Sequence, residues 1–429
     1  MKKNLEMRIK GKNAKLVVMG LGYVGLPLAS AFAGKGFKCH GLDADKTKIQ
    51  ALRQGKGYIK DLDFSEIKLL VKKRFLIPGS DFSILGKADT IFVCVPTPLD
   101  KSKEPDFSFV MSAVREISQR LKPGQLIIVE STIYPGMTME VIKPQLEAET
   151  KLKAGKDFYL VMSPERIDPG NPKYHLENTP KVVGGINRAS TELAVLLYQQ
   201  IIERVVPVSS PTVAEMTKLL ENTFRQINIG LANEIAIICD KLGINVWEVI
   251  DSASTKPFGF MTFYPGPGIG GHCIPVDPLY LSWKMKSLNY RARFIELASD
   301  INSEMPRFWV EKAQEGLNQK GKSLKNAQVL VLGISYKRDV DDLRESPALE
   351  IIKLLINKGA RVEYYDPFIP KIEIGGRPIN SQKFSRKLVQ SADCIIIATD
   401  HSALDYKLIQ KQANLIVDTR GILHRLSKS

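Results

Sequence analysis

The sequence predicts an α/β protein with two doubly wound domains joined by a central helical region that contains one long helix. Apolar runs of strand length alternate with helical patterns near both ends of the chain, as in domains built on parallel sheets. A glycine-rich turn follows the first of these runs, and a long helical pattern at residues 211–242 separates the two alternating regions.

Composition sets the broad class. The 429 residues exceed what one core supports, and 44% hydrophobic and 25% charged residues are ordinary for a globular protein. The net charge of +15 comes from basic residues interspersed with acids, without any nucleic-acid-binding signature, so we expect no nucleic-acid partner. The five cysteines form no Cys-x-x-Cys pair, which predicts neither disulfides nor a metal site. Because no apolar run suits a signal peptide or a membrane span, we expect a cytoplasmic protein without membrane insertion.

The first glycine-rich turn has the context of a dinucleotide site. It reads Gly-Leu-Gly-Tyr-Val-Gly and lies between a predicted strand at residues 15–19 and a helical pattern. Gly20 permits the tight turn, Gly22 lets a pyrophosphate approach the backbone, and Gly25 allows close helix packing. This pattern predicts a Rossmann-like domain.

The next predicted strand, residues 37–42, ends at Asp43. A carboxylate at this place accepts hydrogen bonds from an adenosine ribose and repels a 2′-phosphate, so NAD is favoured over NADP.

Polar residues also follow later strands of the first domain. The predicted strands lie at residues 90–95, 126–129 and 158–162. The polar residues singled out after them are Thr97, Thr132 and Glu165. Each alone is typical of an ordinary turn, but ligands of parallel sheets bind at this edge, so we expect some of the three to touch cofactor or substrate.

The long helix carries Lys218, Asn222 and Arg225 at i, i+4 and i+7, which places them on one face. Such a stripe is commonly the solvent side of a helix and otherwise lines a site. A lysine there can stabilise an oxyanion or, with a pKa lowered by burial, act as a base.

Residues 263–278 form what we call the cysteine loop, since its glycines and prolines exclude a helix or a regular strand. Cys273 is followed four residues later by Asp277, which places a nucleophile near a carboxylate. The alternative is a buried cysteine in a tight connection. A second nucleotide-binding pattern then begins, with strands predicted at residues 329–332, 362–365 and 394–398.

Several motifs, in this order, resemble the UDP-glucose/GDP-mannose dehydrogenase family over nearly the whole chain. They read GLGYVG, CVPTP, VEST, SPER, EMTKLLENTF, GPGIGGHCIPVDP and GISYKRDVDDLRESPA. The resemblance implies an NAD-binding Rossmann domain at residues 1–208, a central helical dimerisation domain at 209–318 and a UDP-sugar-binding Rossmann-like domain at 319–429. It also implies a homodimer or higher homo-oligomer.

The resemblance further implies a four-electron oxidation at C6 of a UDP-sugar, through a thiohemiacetal and a thioester on Cys273. Lys218 and Asn222 then surround the reacting oxygen, Asp277 and Thr132 hold the hydrolytic water, and Glu165 is a candidate general base. The implied cofactor residues are Gly20, Gly22, Tyr23, Val24, Gly25, Asp43, Thr97 and Thr132. The implied substrate residues are Glu165, Arg166, Lys218, Asn222, Phe263, Gly270, His272, Lys337 and Arg344.

Departures from the family pattern narrow the range of expected substrates. Val276 stands where the branches acting on UDP-glucose or GDP-mannose have lysine, and the loop is most similar to that of UDP-N-acetylglucosamine 6-dehydrogenases. We therefore expect UDP-N-acetylglucosamine, oxidised for a surface polysaccharide such as lipopolysaccharide, with Arg166 and His272 near the acetamido group. The galacto and manno epimers and UDP-glucose remain open.

Three alternatives remain. For Arg344 the alternative is a surface salt bridge among neighbouring acids. For the whole chain, one alternative is a two-electron dehydrogenase of the 6-phosphogluconate or hydroxy-acid type, which needs neither a cysteine nucleophile nor a second Rossmann-like domain. The other is an inactive nucleotide-sugar-binding protein that kept the fold.

Overall fold

The computed structural model describes residues 1–59, 62–100, 102, 104–168, 171 and 173–428. The chain divides into two compact units. Unit 1 comprises Met1–Glu221 and Trp283–Leu288, and unit 2 comprises Asn222–Ser282 and Asn289–Ser429. The three-domain division expected from the sequence stays a prediction.

Unit 1 is built on one eight-stranded sheet. Its strands are β1 (Lys15–Met19), β2 (Lys38–Leu42), β3 (Leu76–Gly79), β4 (Thr90–Val93), β5 (Leu126–Val129), β6 (Tyr159–Met162), β7 (Lys181–Gly185) and β8 (Val205–Val208). The spatial order is β3-β2-β1-β4-β5-β6-β7-β8, and only the β6–β7 pair is antiparallel. Strands such as β5 are buried along their whole length, as their continuous apolar sequences predict.

Helices flank this sheet. They are α1 (Lys2–Lys10), α2 (Gly25–Gly34), α3 (Lys46–Gln54), α4 (Phe64–Lys72), α5 (Ser108–Ser118), α6 (Lys143–Thr150) and α7 (Arg188–Tyr198). Local chemistry fixes their ends. For example, the Asp45 side chain caps α3 by accepting the Thr47 N–H, and Gly55 ends that helix with φ 67°.

Helix α8 (Pro211–Leu242) has the predicted bounds and runs from the last residues of unit 1 into unit 2. The helices that follow are α9 (Val246–Ser254), α10 (Asp277–Lys286), α11 (Arg293–Gln319), α12 (Pro347–Asn357), α13 (Arg386–Ser391), α14 (Tyr406–Gln412) and α15 (Ile422–Lys428). In the part of the chain that the structure describes, no helix has the length and apolarity needed to cross a bilayer.

Unit 2 contains a parallel four-stranded sheet and a hairpin. The strands are β9 (Gln328–Leu332), β10 (Arg361–Tyr365), β11 (Lys371–Ile374), β12 (Arg377–Asn380), β13 (Cys394–Ile397) and β14 (Ile416–Asp418). The sheet has the order β10-β9-β13-β14, and β11 pairs with β12. The three strands predicted here are present with slightly shifted ends, whereas β14 and the hairpin were not predicted.

Candidate active site

The glycine-rich turn of unit 1 leaves its backbone open where a phosphate would approach. Gly20 has φ +91°, and a Cβ there would lie 2.4 Å from the Cys94 carbonyl oxygen. A Cβ on Gly25 would lie 1.9 Å from the Gly20 carbonyl oxygen, so neither position accepts a larger residue. Among the described residues other than its two chain neighbours, none has a heavy atom within 4 Å of a Cβ built on Gly22. The half-buried residues after it are Tyr23 and Val24. This geometry fits a dinucleotide at the start of α2.

Asp43 lies beside this turn, at the end of β2. Its Oδ2 accepts the Leu21 N–H at 2.8 Å, and its Oδ1 accepts the Asp45 N–H at 2.9 Å. Lys48 Nζ lies 3.2 Å from Oδ2. A carboxylate offers about four lone-pair directions, so these contacts leave acceptor capacity for a ribose hydroxyl.

The strand ends carrying Thr97 and Thr132 lie together at one edge of the sheet, because β4, β5 and β6 are adjacent and parallel. Both threonines are half-buried. The Ser131 hydroxyl joins the two segments by donating to the Val95 carbonyl at 2.7 Å. Their contacts with the cofactor stay a prediction.

Glu165 follows β6 and is only 8% exposed. Its Oε1 accepts the N–H groups of Arg166 and Ile167 at 2.7 Å each, and its Oε2 accepts from Lys181 Nζ at 2.7 Å. Burial opposes ionisation, but the Lys181 charge and these hydrogen bonds outweigh it and lower the pKa of Glu165. Because a carboxylate with a lowered pKa is a weak base, the predicted general-base role needs a second group to keep the proton.

Arg166 is held by protein groups. Its Nη2 and Nε donate to the Glu221 carboxylate at 2.6 and 3.2 Å, and its Nη1 donates to the Pro180 carbonyl at 2.7 Å. Glu221, which sequence reasoning did not single out, therefore orients Arg166. The contact between Arg166 and an acetamido group stays a prediction.

The polar stripe on α8 is buried only in part. Lys218 is 9% exposed and Asn222 is 5% exposed, whereas Arg225 is exposed. The buried polar face continues through Gln226 and Asn233. The solvent-facing alternative thus applies to Arg225 and is wrong for the other two members of the predicted stripe.

The cysteine loop is fastened to α8 near both of its ends. The Gly266 N–H donates to Asn233 Oδ1 at 2.9 Å, and the Gly266 carbonyl accepts from Trp309 Nε1 at 2.9 Å. Near the other end, Asn222 Nδ2 donates to Asp277 Oδ2 at 2.5 Å. Since the two asparagines lie about three turns apart on one helix, α8 sets the span of the loop.

Cys273 is the accessible thiol. It is half-buried, whereas the other cysteines, all within the described residues, are buried. The Cys273 carbonyl accepts the Asp277 N–H at 2.8 Å where α10 begins. Burial raises the pKa of the Cys39 and Cys94 thiols, and raises that of Cys394 to about 12. Those three thiols are therefore protonated and shielded at neutral pH, which makes them poor nucleophiles.

Gly270 and Gly271 let the cysteine loop pack on Tyr336. A Cβ on Gly270 would lie 2.6 Å from the Tyr336 Cβ, and one on Gly271 would lie 2.9 Å from its ring. The Gly271 N–H donates to the Arg344 carbonyl at 2.9 Å. Unit 2 thereby joins the cysteine loop to the segment that carries Lys337 and Arg344.

The Arg344 side chain is in the salt bridge that the alternative interpretation expects. Its Nη2 lies 2.5 Å from Asp342 Oδ2, with 47% of the side chain exposed. The other predicted substrate residues of unit 2 with half-buried side chains are Phe263, His272 and Lys337. The Phe263 ring packs on Phe224 at 5.8 Å. Substrate contacts of these residues stay predictions.

A buried pair, Asp366 and His401, supports the turn after β9, and sequence reasoning missed its role. Asp366 Oδ2 accepts the N–H groups of Ile334 and Ser335 at 2.7 and 3.1 Å. His401 Nε2 lies 3.0 Å from the same oxygen, and its Nδ1 accepts the Asp339 N–H at 3.0 Å. This pattern places the imidazole proton on Nε2. The acid directly after a predicted strand was the available signal.

Three domain models of one protein family match successive parts of the chain. The NAD binding, central and UDP binding domains of the UDP-glucose/GDP-mannose dehydrogenase family match residues 14–202, 212–304 and 330–425. The chain belongs to this family. NAD is therefore its cofactor, as the glycine-rich turn and Asp43 predict.

Relatives span nearly all of this dehydrogenase. UDP-N-acetyl-D-mannosamine dehydrogenase of Methanococcus maripaludis (strain C7) is 35% identical, over 96% of this chain and 94% of the relative. UDP-N-acetyl-D-glucosamine 6-dehydrogenase of Pseudomonas aeruginosa is 36% identical, over 96% and 98%. The solved UDP-D-ManNAc dehydrogenase of Pyrococcus horikoshii has a TM-score of 0.86 at 34% identity, over 95% and 96%. Relatives named for two different epimers are thus about equally similar.

Each unit of the dehydrogenase holds one set of the predicted residues. Unit 1 contains the glycine-rich turn, Asp43, Thr97, Thr132, Glu165, Arg166 and Lys218. Unit 2 contains Asn222, Phe263, Gly270, His272, Cys273, Asp277, Lys337 and Arg344. Glu165 has a buried partner in unit 1, Lys181, which lies outside the quoted motifs, and Lys181 also contacts Glu130. Glu130 belongs to the VEST motif, but sequence reasoning assigned it no role.

Proposed function

We propose that this dehydrogenase oxidises the C6 alcohol of a UDP-N-acetylhexosamine to a carboxylate through a covalent intermediate on Cys273. The observation that carries the proposal is the half-buried Cys273 on a loop fastened by Asn222 and Asn233. An oxidation in two stages needs an anchor for its intermediate, and a thiol on a supported loop supplies one.

The covalent sequence balances at each stage. Loss of a hydride and a proton converts the alcohol to an aldehyde. The Cys273 thiolate adds to the aldehyde carbon, and the carbonyl oxygen takes up a proton to give a thiohemiacetal. Loss of a second hydride and of the hydroxyl proton leaves a thioester. Water then forms a new C–O bond, the C–S bond breaks, and the carboxylate, the thiolate and two protons are released. NAD, when bound, accepts the hydride in both oxidations.

In this proposal Lys218 and Asn222 stabilise negative charge on the reacting oxygen. Asn222 uses one amide hydrogen on Asp277 and has a second to offer. Asp277 and Thr132 hold the hydrolytic water, and Glu165 receives a proton from it. The residues proposed to hold NAD are Gly20, Gly22, Tyr23, Val24, Gly25, Asp43, Thr97 and Thr132.

The substrate assignment follows the sequence motifs. Lys337 and Arg344 are proposed to bind UDP or the sugar, and Arg166 and His272 to lie near the acetamido group. UDP-N-acetylglucosamine remains our first candidate because of the loop sequence around Val276. UDP-N-acetylmannosamine is the second, because relatives of that name are equally similar. The uronic acid product suits surface polysaccharide assembly.

A homodimer through α8 is part of the proposal. Large apolar side chains on this helix are exposed at Phe224, Leu231 and Ile238, with exposures of 44%, 55% and 44%. Their seven-residue spacing forms one stripe, which a second copy of the helix can cover. Sedimentation should show a dimer, and Leu231→Glu should shift it to monomer. A monomeric unmodified protein would contradict the assignment.

The deciding experiment counts NADH and records product mass with the UDP-activated N-acetylglucosamine, N-acetylmannosamine and N-acetylgalactosamine and with UDP-glucose. We expect two NADH per carboxylate formed, and no complete turnover by Cys273→Ser. One NADH per product supports the two-electron dehydrogenase, and no turnover supports the binding protein. The substrate with the highest kcat/KM decides between the epimers.

A further inference from the structure

Four ionisable side chains, Glu165 among them, form a buried chain inside unit 1. Lys181 Nζ, at the start of β7, lies 2.7 Å from Glu165 Oε2 and 2.7 Å from Glu130 Oε2. The Tyr198 hydroxyl, on α7, donates to Glu130 Oε1. Glu130 and Lys181 are 1% and 2% exposed. A hydrogen-bonded path therefore runs from Glu165 through Lys181 to Glu130.

The charges of this chain do not balance. Two carboxylates share one ammonium, whereas a single carboxylate is enough to balance the charge of an ammonium in an ion pair. An uncompensated buried charge is costly. Glu130 is faced by Lys181 from β7, Glu165 after β6, Tyr198 from α7 and Cys94 after β4. Burial, opposed by Lys181, raises the pKa of Glu130 to about 7, while that of Glu165 is lowered. The extra proton of the chain thus belongs on Glu130.

We propose that Glu130 is a positioning residue that accepts, through Lys181, the proton that Glu165 takes from the water attacking the thioester. The inference rests on the proposed function. The backbone N–H groups and Lys181 use three lone-pair directions of Glu165, which leaves one for water. Glu165 thereby serves as the contact to water, and Glu130 as the site that keeps the proton.

The transfer balances in protons and charge. Water loses one proton to Glu165 as its oxygen bonds to the acyl carbon and the C–S bond breaks with its electron pair on sulfur. The second proton of the water dissociates from the carboxylic acid so formed. Glu165 returns this proton to Lys181 while Lys181 gives one of its own to Glu130, so the ammonium is unchanged. The proton then leaves Glu130 by the same path after product release. No oxidant or further reactant is needed.

Single-turnover hydrolysis of the acyl-enzyme, followed by intact mass across neutral pH, tests the relay. We expect the unmodified rate to fall as pH drops below about 7, where Glu130 is already protonated. Glu130→Gln should slow hydrolysis on the order of 10²-fold and abolish this dependence of the rate on pH. Tyr198→Phe removes a hydrogen bond that favours the ionised form of Glu130. The pH at which the hydrolysis rate falls should therefore rise by about one to two units.

The matched control is Glu215→Gln. Glu215 is another fully buried carboxylate of unit 1, whose oxygens accept the N–H groups of Gly136 and Thr138. In the part of the chain that the structure describes, Glu215 forms no hydrogen bond or ion pair with the Glu165 chain. Its loss should therefore lower stability and leave the dependence of the hydrolysis rate on pH in place. The relay would be overturned if the fall of the hydrolysis rate at low pH persisted in Glu130→Gln, or if it occurred at the same pH in Tyr198→Phe as in the unmodified protein.

Infrared difference spectra locate the proton without substrate. A protonated carboxyl band should titrate near pH 7 in the unmodified protein and should vanish in Glu130→Gln. In Glu165→Gln the band should remain but titrate at lower pH, because the charge of Glu165 raises the pKa of Glu130. A band that vanishes only in Glu165→Gln would refute the inference. Since this readout needs no turnover, it stays decisive for Glu130 even if no UDP-sugar is oxidised and the proposed function fails.

Discussion

Replacing Asn233 by alanine tests whether α8 holds the cysteine loop. Asn233 is fully buried, its Oδ1 accepts the Gly266 N–H at 2.9 Å, and its Nδ2 donates to Asn302 Oδ1 at 2.8 Å. Alanine leaves one buried donor and one buried acceptor without this partner, each at a cost of about 1–3 kcal/mol. We expect the free energy of unfolding to fall by about 2–6 kcal/mol. The rate of turnover should fall as well, because the loop carrying Cys273 loses an anchor.

Asn228→Ala is the matched control on the same helix. Its amide donates to the Phe224 carbonyl at 2.7 Å on the exposed surface, so its loss should change stability by about 0.5 kcal/mol or less. Urea unfolding measures both variants, and the rate of Cys273 alkylation by iodoacetamide reports on the loop directly. We expect alkylation to change in Asn233→Ala alone.

Equal unfolding free energies for the two variants would refute the reasoning, since one asparagine joins two buried groups and the other only its own helix. A destabilised Asn233→Ala with unchanged turnover and alkylation would separate the two claims. It would show that Asn233 stabilises unit 2 without setting the position of Cys273.

Three further predictions follow from the geometry. Gly25→Ala places a methyl group 1.9 Å from a backbone carbonyl oxygen, so calorimetry should show NAD affinity reduced at least about tenfold with UDP binding unchanged. Gly270→Ala places one 2.6 Å from Tyr336, so turnover should fall with NAD affinity unchanged; retained turnover would contradict this packing. Hydrogen bonds from Lys428 and other neighbours lower the pKa of Asp251 from 3.8 to about 2. As pH falls through this window the unfolded chain takes up the proton first, so stability drops; thermal melts of Asp251→Asn should show a shallower slope.

The elements predicted correctly are those whose burial dictates a continuous apolar sequence. Strands β1 and β5 and the long helix α8 have the predicted bounds. Strands β3, LIPG, and β8, VVPV, were missed because each contains a proline, which weakens a strand pattern. Both lie at the edges of their sheet, where a missing N–H is tolerated. Their position in the sheet, which the local sequence does not encode, explains their composition.

The site residues that could be predicted are those whose functional groups lie close together in one short sequence motif. Cys273 and Asp277 lie four residues apart, and the glycine-rich turn is continuous in sequence. The partners of Glu165 were not predictable in this way. Lys181 is the first residue of β7, and its other partner Glu130 lies 51 residues away in the chain. Only the β5-β6-β7 order of the sheet brings such residues together.

The two Rossmann-like sheets use an acid at the same place to different ends. Asp43 and Asp366 each follow a strand that pairs in parallel with the first strand of its domain, β1 or β9, and each accepts an N–H from the turn after that first strand. Asp43 also contacts Lys48 and keeps acceptor capacity. Asp366 instead accepts two N–H groups of the turn and two from the residues after it, and His401 lies against the same carboxylate, which is fully buried. With its lone pairs filled, Asp366 has no place for a ribose hydroxyl. The first sheet can therefore bind the ribose of a dinucleotide through Asp43. The second sheet cannot do so through Asp366, because these hydrogen bonds already use its acceptor positions.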